Sequence, residues 1–218
     1  LDAGAEYIVV DSGSEDGTQA IAEAAGAKVL YCPPGNMYAA INAGLEHASG
    51  EWLTYINSDD LLYADSAVEM LEAASEQDDV LYGNLDYVDE VNRFLFYWRS
   101  ARPSLLSIHM PCYCGILQQG VWFHRRVLDR LEGFDTTYRF CADYDFFFRA
   151  VVEGFRFKKY SRKSVGAFRL MASQLSQSRK EEMSTEGPRI RAGYWAGKPK
   201  YQHLFYRIIS TLDRNFSN

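Results

Sequence analysis

The sequence predicts an α/β fold, in which one domain is built on a mostly parallel central sheet flanked by helices and continues into a C-terminal helical extension. Strand-like and helix-like segments alternate through roughly the first quarter of the chain, which is the pattern of βαβ units. The chain has 218 residues, of which 47% are hydrophobic and 24% are charged, as in globular domains. This length allows a substantial buried core, so a wholly disordered chain is excluded.

The charge balance and the hydropathy pattern exclude further classes of protein. The chain has 23 Lys and Arg residues and 29 Asp and Glu residues, so its net charge of −6 argues against a broad nucleic-acid-binding surface. No apolar run approaches the ~20 residues of a membrane-spanning helix, and we find no basic and apolar leader. We therefore expect a cytoplasmic protein that does not bind nucleic acid.

The first half of the chain supplies three strands and two helices. The strands are predicted at 6–10, 28–31 and 52–56. They are short β-branched or aromatic runs that end in polar or Pro-Gly turns. The first helix follows Asp16, which would cap it together with Gln19 in a capping box. Apolar residues at helical spacing predict the second helix over 37–48.

After Val80 the pattern changes to shorter strands joined by turns. Strands are predicted at 80–82, 85–88, 93–98 and 115–123, and helices at 125–131 and 143–152. Asp89–Asn92 would form a hairpin turn between two of these strands. The four cysteines include a C-x-C pair, Cys112 and Cys114, which is weak evidence for a metal site, and we expect reduced thiols instead.

Carboxylates lie at the ends of two predicted strands. Asp11 closes the first strand, and Asp59 and Asp60 follow the third. Open α/β sheets bind ligands at the carboxyl ends of their strands, and neighbouring carboxylates repel each other unless a cation or donor compensates. A divalent metal held by carboxylates and substrate phosphates would compensate. The alternative is that Asp60 only caps the following helix.

A third acidic cluster contains Asp143 and Asp145, at the start of a predicted helix. Residues two positions apart on a helix point in different directions. One carboxylate could face a cleft as a general base, while the other caps the helix or pairs with Arg149. The alternative is an N-cap and a salt bridge without any catalytic role.

Seven motifs follow one another along the chain. They are Tyr7–Thr18, Tyr38–Gly44, Ala48–Glu51, Asn57–Asp60, Tyr82–Asn84, Gly133–Asp135 and Ala142–Arg149. Their residues, order and spacing resemble family 2 glycosyltransferases with the Rossmann-related GT-A fold. The resemblance implies sugar transfer from a nucleotide-diphosphate donor to a saccharide or lipid-linked acceptor, with inversion and with Mn²⁺ or Mg²⁺. The pathway implied is the synthesis of a cell-surface polysaccharide or glycolipid.

The resemblance also implies roles for individual residues. The donor-binding residues would be Asp11, Ser14, Asn42 and Asp59. Asp59 stands in the place of the family's D-x-D motif, so Asp59 and Asp60 would bind the metal. Asp143 stands in the place of the catalytic base. Gln118 and Gln119 precede a strand that resembles the acceptor side of the cleft.

The same resemblance divides the chain. Residues 1–170 would form the GT-A-like domain, with a nucleotide-sugar-binding half at 1–98 and an acceptor half at 99–170. Residues 171–218 would be the C-terminal extension. The family's usual first strand and helix are missing before Tyr7, so we expect an N-terminally truncated chain.

Two other functions stay open at this point. The first is a catalytically inactive module that binds nucleotide sugars on the same fold. The second is a nucleotidyltransferase on a similar sheet, which would need a Gly-rich, basic phosphate loop near the first strand. The sequence shows no such loop there.

An amphipathic segment lies near the C-terminus. Its apolar stripe consists of Tyr201, Leu204, Phe205, Ile208, Ile209 and Leu212, and the basic residues in or beside it are Lys198, Lys200, Arg207 and Arg214. One hypothesis is a peripheral contact with the inner membrane surface, near a lipid-linked acceptor. The alternative is a helix that packs its stripe against the domain or a second subunit.

Overall fold

The structure is a computed structural model that describes residues 4–171 and 180–216, and only the backbone of 180–183, 200–201 and 212–216. Its strands are β1 (Ile8–Asp11), β2 (Lys28–Tyr31), β3 (Trp52–Leu53), β4 (Leu61–Leu62), β5 (Val80–Val88), β6 (Phe94–Trp98), β7 (Val121–His124) and β8 (Phe157–Arg169). Its helices are α1 (Thr18–Ala24), α2 (Met37–His47), α3 (Ala64–Glu72), α4 (Leu106–His109), α5 (Arg125–Leu131), α6 (Ala142–Val152), α7 (Lys180–Trp195) and α8 (Lys200–Phe216). Short 3₁₀ turns cover Pro103–Leu105 and Gln118–Gly120.

The strands form a mixed sheet and a separate pair. The larger sheet has the order β3-β7-β5-β8-β4, with β6 also paired to β5, and β1 pairs with β2. Among the described strands, only β1–β2 and β5–β8 are parallel pairs. The prediction of a mostly parallel sheet is therefore wrong. The reason is that β3 pairs with β7 instead of continuing the β1–β2 pair, and that β5 and β6 form a hairpin.

The core lies on both faces of the larger sheet. Val80 and Tyr82 of β5 pack in one apolar cluster with residues of α2 and α6, and Leu81 packs in a second cluster with Met70 of α3. This follows from strand geometry, because successive side chains point to opposite faces. The α/β architecture and the single domain are confirmed.

Some predicted element boundaries change in the structure. Asp16 accepts hydrogen bonds from the Thr18 backbone N–H (3.0 Å) and hydroxyl (2.6 Å), but Gln19 donates to Asp11 and does not complete a capping box. The third strand is only two residues long. The 13-residue strand β8 was not predicted from the sequence, because Lys, Arg and Ser occupy much of it.

The C-terminal helices differ in how they pack. Ile190 of α7 is buried in the main core. In α8, a hydrogen bond joins buried Ser210 to His109 of α4, whereas Leu204, Phe205 and Ile208 face solvent. Half of the predicted apolar stripe is thus turned away from the domain. The side chains of Tyr201, Leu212, Lys200 and Arg214 lie outside the described residues. No helix in the described ranges has the length and apolarity that crossing a bilayer requires.

Candidate active site

Asp11 organises the loop that follows β1. Its Oδ1 accepts hydrogen bonds from the backbone N–H groups of Gly13 (2.9 Å) and Ser14 (2.8 Å) and from Gln19 Nε2 (2.7 Å). Its Oδ2 accepts the Ser14 hydroxyl at 2.6 Å. These bonds hold the pKa of the Asp11 carboxyl well below its usual range, the Ser14 hydroxyl having the largest effect. Asp11 and Ser14, the residues predicted to bind the sugar donor, therefore lie in one loop that these hydrogen bonds order and that carries the negative charge of Asp11.

Asn42 links α2 to the turn before α6. Its side-chain amide donates to the Phe134 carbonyl (2.8 Å) and accepts from the Phe134 backbone N–H (2.9 Å). Gly133 has a φ of 81°, and a Cβ there would approach Asn42 Oδ1 to 2.9 Å. The close approach and the positive φ explain why glycine fits this position. In this arrangement Asn42 positions the Gly133–Phe134 turn.

The segment from Thr54 to Asp60 joins β3 to β4, which lie at opposite ends of the sheet order. Along its path the Thr54 hydroxyl donates to the Val121 carbonyl at 2.7 Å, and the Tyr55 carbonyl accepts from Gln118. The segment therefore passes alongside β7 and ends next to the C-terminal end of β8. This path places Asp59 and Asp60 beside residues from distant parts of the chain.

Asp60 is a buried carboxylate with only 8% of its surface exposed. Its Oδ2 accepts from Gln119 Nε2 (2.9 Å) and its Oδ1 from the Arg169 backbone N–H (3.1 Å). Burial, with a smaller contribution from the neighbouring Asp59 charge, raises the pKa of Asp60 to about 6 against these hydrogen bonds. Arg169 Nε also donates to the Asp59 carbonyl at 2.7 Å. Asp59 and Asp60 thus lie together at the edge of the sheet.

Asp143 lies in the first turn of α6, where Oδ1 accepts the Tyr38 hydroxyl at 3.0 Å. Burial raises the pKa of the Asp143 carboxyl above its usual range, and hydrogen bonds from Tyr38 and the backbone partly oppose this. A partly buried carboxylate with a raised pKa is suited to accepting a proton.

Asp145, two positions later, has a different environment. Arg149 Nε donates to Asp145 Oδ2 at 2.7 Å, as the sequence spacing suggested. The same guanidinium donates to the carbonyls of Leu131 (2.7 Å) and Gly133 (2.9 Å). Asp145 thus supports the turn before α6 through Arg149, whereas Asp143 accepts the neutral Tyr38 hydroxyl.

Tyr55 connects the two acidic positions. Burial raises the pKa of its hydroxyl well above the usual range, and the charges of Asp143 and Asp60 both raise it further. The charges of Asp60 and Asp143 therefore act on the same buried hydroxyl.

The residues at 57–60 have the oxygen donors that Mg²⁺ or Mn²⁺ prefers. No set of three His, Cys, Asp or Glu residues among the described ones could hold a metal by itself. Mg²⁺ commonly uses one or two carboxylates and completes its shell with substrate phosphates and water. The Asp60 carboxylate is buried, and its hydrogen-bond donors are the neutral Gln119 amide and the Arg169 backbone N–H. Asp59 and Asp60 thus fit a metal that is shared with a phosphorylated ligand.

Cysteine does not contribute to such a site. All four cysteines are free thiols, and Cys114 donates to the Ile116 carbonyl at 2.8 Å. Burial raises the pKa of Cys114, and the nearby Asp143 charge raises it further. The thiol form of Cys114 is therefore favoured over the thiolate, which is the form that binds metals.

Several residues of the site were not assigned roles from the sequence. Tyr38 and Tyr55 lie in or near the recognised motifs, but no local pattern showed that their hydroxyls would approach carboxylates. Arg169 lies at the end of β8, a strand that the sequence did not predict. Gln119 was proposed for the cleft, and its contact with Asp60 shows how it reaches the site.

Comparison with known proteins identifies the family. The sequence profile described as Glycosyl transferase family 2 matches residues 3–152. The chain belongs to glycosyl transferase family 2. The family match agrees with the order of the seven motifs, and it includes Asp11, Asp60 and Asp143.

Relatives of this family-2 chain come from several bacteria. A PGL/p-HBAD biosynthesis glycosyltransferase of Mycobacterium bovis is 26% identical over 156 residues, which cover 65% of this chain and 56% of that protein. An uncharacterized glycosyltransferase of Rickettsia bellii is 28% identical over 161 residues, covering 66% of this chain and 23% of that protein. This chain spans less than two thirds of either relative.

Solved structures show the GT-A fold of the family-2 chain. Staphylococcus aureus TarS 1-349 in complex with UDP has a TM-score of 0.64 at 20% identity, over 98% of this chain and 63% of that chain. The mannosyltransferase PcManGT from Pyrobaculum calidifontis, in complex with GDP-Man and Mn²⁺, has a TM-score of 0.55 at 17% identity, over 98% of this chain and 66% of that chain. At these identities the likeness establishes the fold alone.

Proposed function

We propose that this chain transfers a sugar, with inversion, from a nucleotide-diphosphate donor to a saccharide or lipid-linked acceptor. The observation that supports this most directly is that Asp60, held by Gln119 and Arg169, and Asp143, held by Tyr38, are two separately positioned carboxylates in a chain of this family. Asp60 would act at the sugar donor, and Asp143 would act at the acceptor. We propose residues 1–98 as the donor half, 99–170 as the acceptor half and 171–218 as the extension.

The donor would bind along the carboxyl ends of β1 and the 57–60 turn. Asp11 and Ser14 form the ordered loop that would contact the nucleoside, and Asn42 would support this side through the Gly133 turn. Asp59 and Asp60 would hold Mn²⁺ or Mg²⁺ together with the donor's diphosphate. When bound, the ion would stabilise the negative charge that develops on the departing diphosphate.

Asp143 would act on the acceptor. It would remove the proton of an acceptor hydroxyl while that oxygen forms a bond to the anomeric carbon. The bond from this carbon to the diphosphate oxygen would break on the opposite face, so the configuration inverts. Tyr38 would hold the Asp143 carboxylate in place through the bond to Oδ1.

The solved neighbours support the choice of donor and metal. Crystals of TarS 1-349 contain UDP, and those of PcManGT contain GDP-Man and Mn²⁺. We propose a nucleotide sugar and a divalent ion of these classes for this chain. A role in cell-surface polysaccharide or glycolipid synthesis at the cytoplasmic face of the membrane accords with a lipid-linked acceptor. The exposed residues Leu204, Phe205 and Ile208 of α8 would provide a peripheral membrane contact.

Titration calorimetry of UDP and GDP, with and without a chelator, tests the donor and metal proposal. We expect binding that requires Mn²⁺ or Mg²⁺ and that Asp59→Ala weakens at least about tenfold, because one metal-binding carboxylate is removed. The control is Asp65→Ala, an exposed acid at the start of α3, which should bind as the unmodified chain does. Equal affinity in the presence and absence of chelator would contradict metal dependence.

Turnover separates the enzyme from the inactive module. Release of nucleoside diphosphate from a panel of nucleotide sugars, with saccharide or lipid-linked acceptors, is expected of a transferase. Metal-dependent nucleotide binding without any turnover across the panel would instead support the binding module.

A further inference from the structure

Strand β6 and the turn before it carry an apolar surface in solvent. The residues Val91, Phe94, Leu95, Phe96 and Tyr97 are between 43% and 63% exposed. Because successive strand residues point to opposite faces, both faces of β6 carry exposed apolar side chains, although the Phe96 ring also stacks on Tyr87 at 4.3 Å. An antiparallel sheet normally covers at least one face, so exposure of this kind marks an interaction site. We name these five residues the β6 surface.

The outer edge of β6 is also open. Within 4–171 and 180–216, β6 pairs with β5 alone. A second copy could in principle pair with this edge, but antiparallel pairing centred on Phe96 would place Arg93 of one copy opposite Arg99 of the other. Like charges directly opposite each other are destabilising. The flanking charges therefore disfavour a second copy as the partner.

A cationic cavity adjoins the β6 surface at Tyr97. Its volume is about 460 Å³, and its lining residues are Asn84, Tyr97, Arg99, Arg102, Pro103, Lys159 and Ser161. Three of the seven side chains are cationic and none is acidic, although the chain as a whole has a net charge of −6. The cavity therefore complements an anion, while the strand beside it complements an apolar group.

The acidic residues of the hairpin restrict how a partner could approach. Asp89 accepts hydrogen bonds from the backbone N–H groups of Val91 (3.0 Å) and Arg93 (2.8 Å) and is thus held within the turn. Glu90 is exposed at the tip. A negatively charged partner would therefore be repelled by the Glu90 side chain, and the contact would be centred on the strand and the cavity.

We propose that the β6 surface and this cavity bind the headgroup region of an anionic lipid bilayer. The aromatic side chains would lie at the membrane interface, where such rings are favoured, and the cations would bind lipid phosphates. The open strand edge limits how deeply this surface would enter the bilayer. Its backbone groups need hydrogen bonds, which headgroups and water provide and the hydrocarbon core does not. Phospholipid bilayers supply both chemistries at one surface.

This contact would place the bilayer close to the candidate donor site. Arg169 Nη1 donates to the Glu90 carbonyl at 3.3 Å, and Nε of the same side chain donates to the Asp59 carbonyl at 2.7 Å. The β5–β6 turn and the turn of Asp59 are thus joined through one arginine. The inference concerns a surface separate from α8, and it is tested by binding and not by sugar transfer.

Co-sedimentation of the full chain with vesicles tests the proposal. We expect binding to phosphatidylcholine vesicles that also contain phosphatidylglycerol, and not to phosphatidylcholine alone. The double variant Phe94→Ser, Leu95→Ser should weaken this binding at least about tenfold, because two interfacial side chains are lost. Arg93→Gln and Arg102→Gln should weaken it by about fivefold for each charge removed. The control, Ile21→Ser with Val152→Ser, removes two exposed apolar residues elsewhere and should leave binding unchanged.

Amide hydrogen exchange of the unmodified chain provides a measurement that does not depend on folding of the variants. Anionic vesicles should slow exchange at 91–98 and leave 28–31 unchanged. Several results would overturn the proposal: no vesicle binding, equal binding to neutral vesicles, or binding lost in Leu204→Ser, Phe205→Ser but kept in Phe94→Ser, Leu95→Ser. Dimers that form without lipid and disappear in the β6 variant would show that a second copy is the partner. None of these results depends on whether the chain transfers sugar.

Discussion

Asp143 and Asp145 show how neighbouring acids on one helix acquire different chemistry. The Asp145 carboxylate is held by Arg149, and that guanidinium also supports the turn before α6. Asp143 instead receives the Tyr38 hydroxyl and has no cationic side chain among its described hydrogen-bond partners. Burial raises the pKa of both carboxyls, but the Arg149 charge opposes this at Asp145, whereas at Asp143 the opposition comes from hydrogen bonds of Tyr38 and the backbone.

The variant Asp143→Asn should lose activity without losing donor binding. The amide keeps the shape of the side chain but cannot accept the acceptor's proton, so we expect kcat to fall ~10²–10⁴-fold. Steady-state kinetics and calorimetry of the nucleotide measure the two effects. In the control Asp145→Asn, the Arg149 contact weakens, so the melting temperature should fall more than the rate. If Asp143→Asn kept a normal rate and Asp145→Asn lost most of its activity, the assignment of Asp143 as the base would be wrong.

The pH dependence of the rate should report the environment of Asp143. Since burial raises its pKa, the acid limb of kcat/KM should lie above the ordinary value of ~4 for an aspartate. Tyr38 stabilises the charged form, so Tyr38→Phe should raise this pKa further and move the acid limb to higher pH. Tyr82→Phe removes a different buried hydroxyl, which donates to the Ala101 carbonyl, and should leave the limb in place. If the acid limb of kcat/KM stayed at the same pH in Tyr38→Phe, a group other than Asp143 would be responsible for it.

The sequence reveals some of these residue-scale contacts and hides others. The Asp145–Arg149 pair was predicted because residues at i and i+4 are neighbours on any helix. The Tyr38–Asp143 and Gln119–Asp60 contacts join residues 105 and 59 positions apart. Such contacts depend on how whole elements pack, so a motif can select the carboxylates without indicating what surrounds them.

At the scale of elements, α7 completes the surroundings of Asp143. Glu186 of this helix accepts hydrogen bonds from three successive backbone N–H groups ahead of α6: Arg139 (2.8 Å), Phe140 (2.9 Å) and Cys141 (2.9 Å). Its charge also raises the pKa of Asp143. A carboxylate at this position favours the N-terminus of α6 through the helix dipole as well.

The variant Glu186→Gln tests this link with two separate readouts. The amide leaves at least one of these partly buried N–H groups without its charged acceptor, so the free energy of unfolding should fall by ~1–3 kcal/mol. Removing the negative charge should also lower the pKa of Asp143, which moves the acid limb of kcat/KM to lower pH. Ala192→Ser, on the exposed side of α7, is the control for both. If the free energy of unfolding fell but the acid limb of kcat/KM stayed at the same pH, the role of Glu186 would be purely structural.

The elements themselves were predicted unevenly. Helices α2, α5 and α6 follow from local apolar spacing, and their bounds agree with the prediction to within one residue. The partners of the strands do not follow from local patterns, and β3 pairs with β7 about 70 positions away. The long strand β8 has only a partly apolar sequence, so its own pattern does not predict it. Pairing with neighbouring strands stabilises it in the folded protein.

For the whole molecule, the division into two sheets should appear in its stability. Strand β5 pairs with three strands, whereas β1 and β2 pair only with each other within the described residues. We expect backbone amides of 80–88 to exchange with solvent at least about tenfold more slowly than those of 8–11, because opening the small pair disrupts fewer contacts. Mass spectrometry of exchanged peptides measures this difference. Equal protection of both segments would show that the two sheets open together.

The turn that carries Asp59 and Asp60 is completed only by later parts of the chain. Its hydrogen-bond partners Gln119 and Arg169 follow Asp60 by 59 and 109 positions. Contacts of such separation form late, because the intervening chain must first be brought together. At ~5–20 residues per second, a ribosome adds Arg169 roughly 5–20 seconds after Asp60. If these aspartates bind the donor as proposed, a nascent chain would complete its donor site only after β8 has emerged, however early its acidic turn is synthesised.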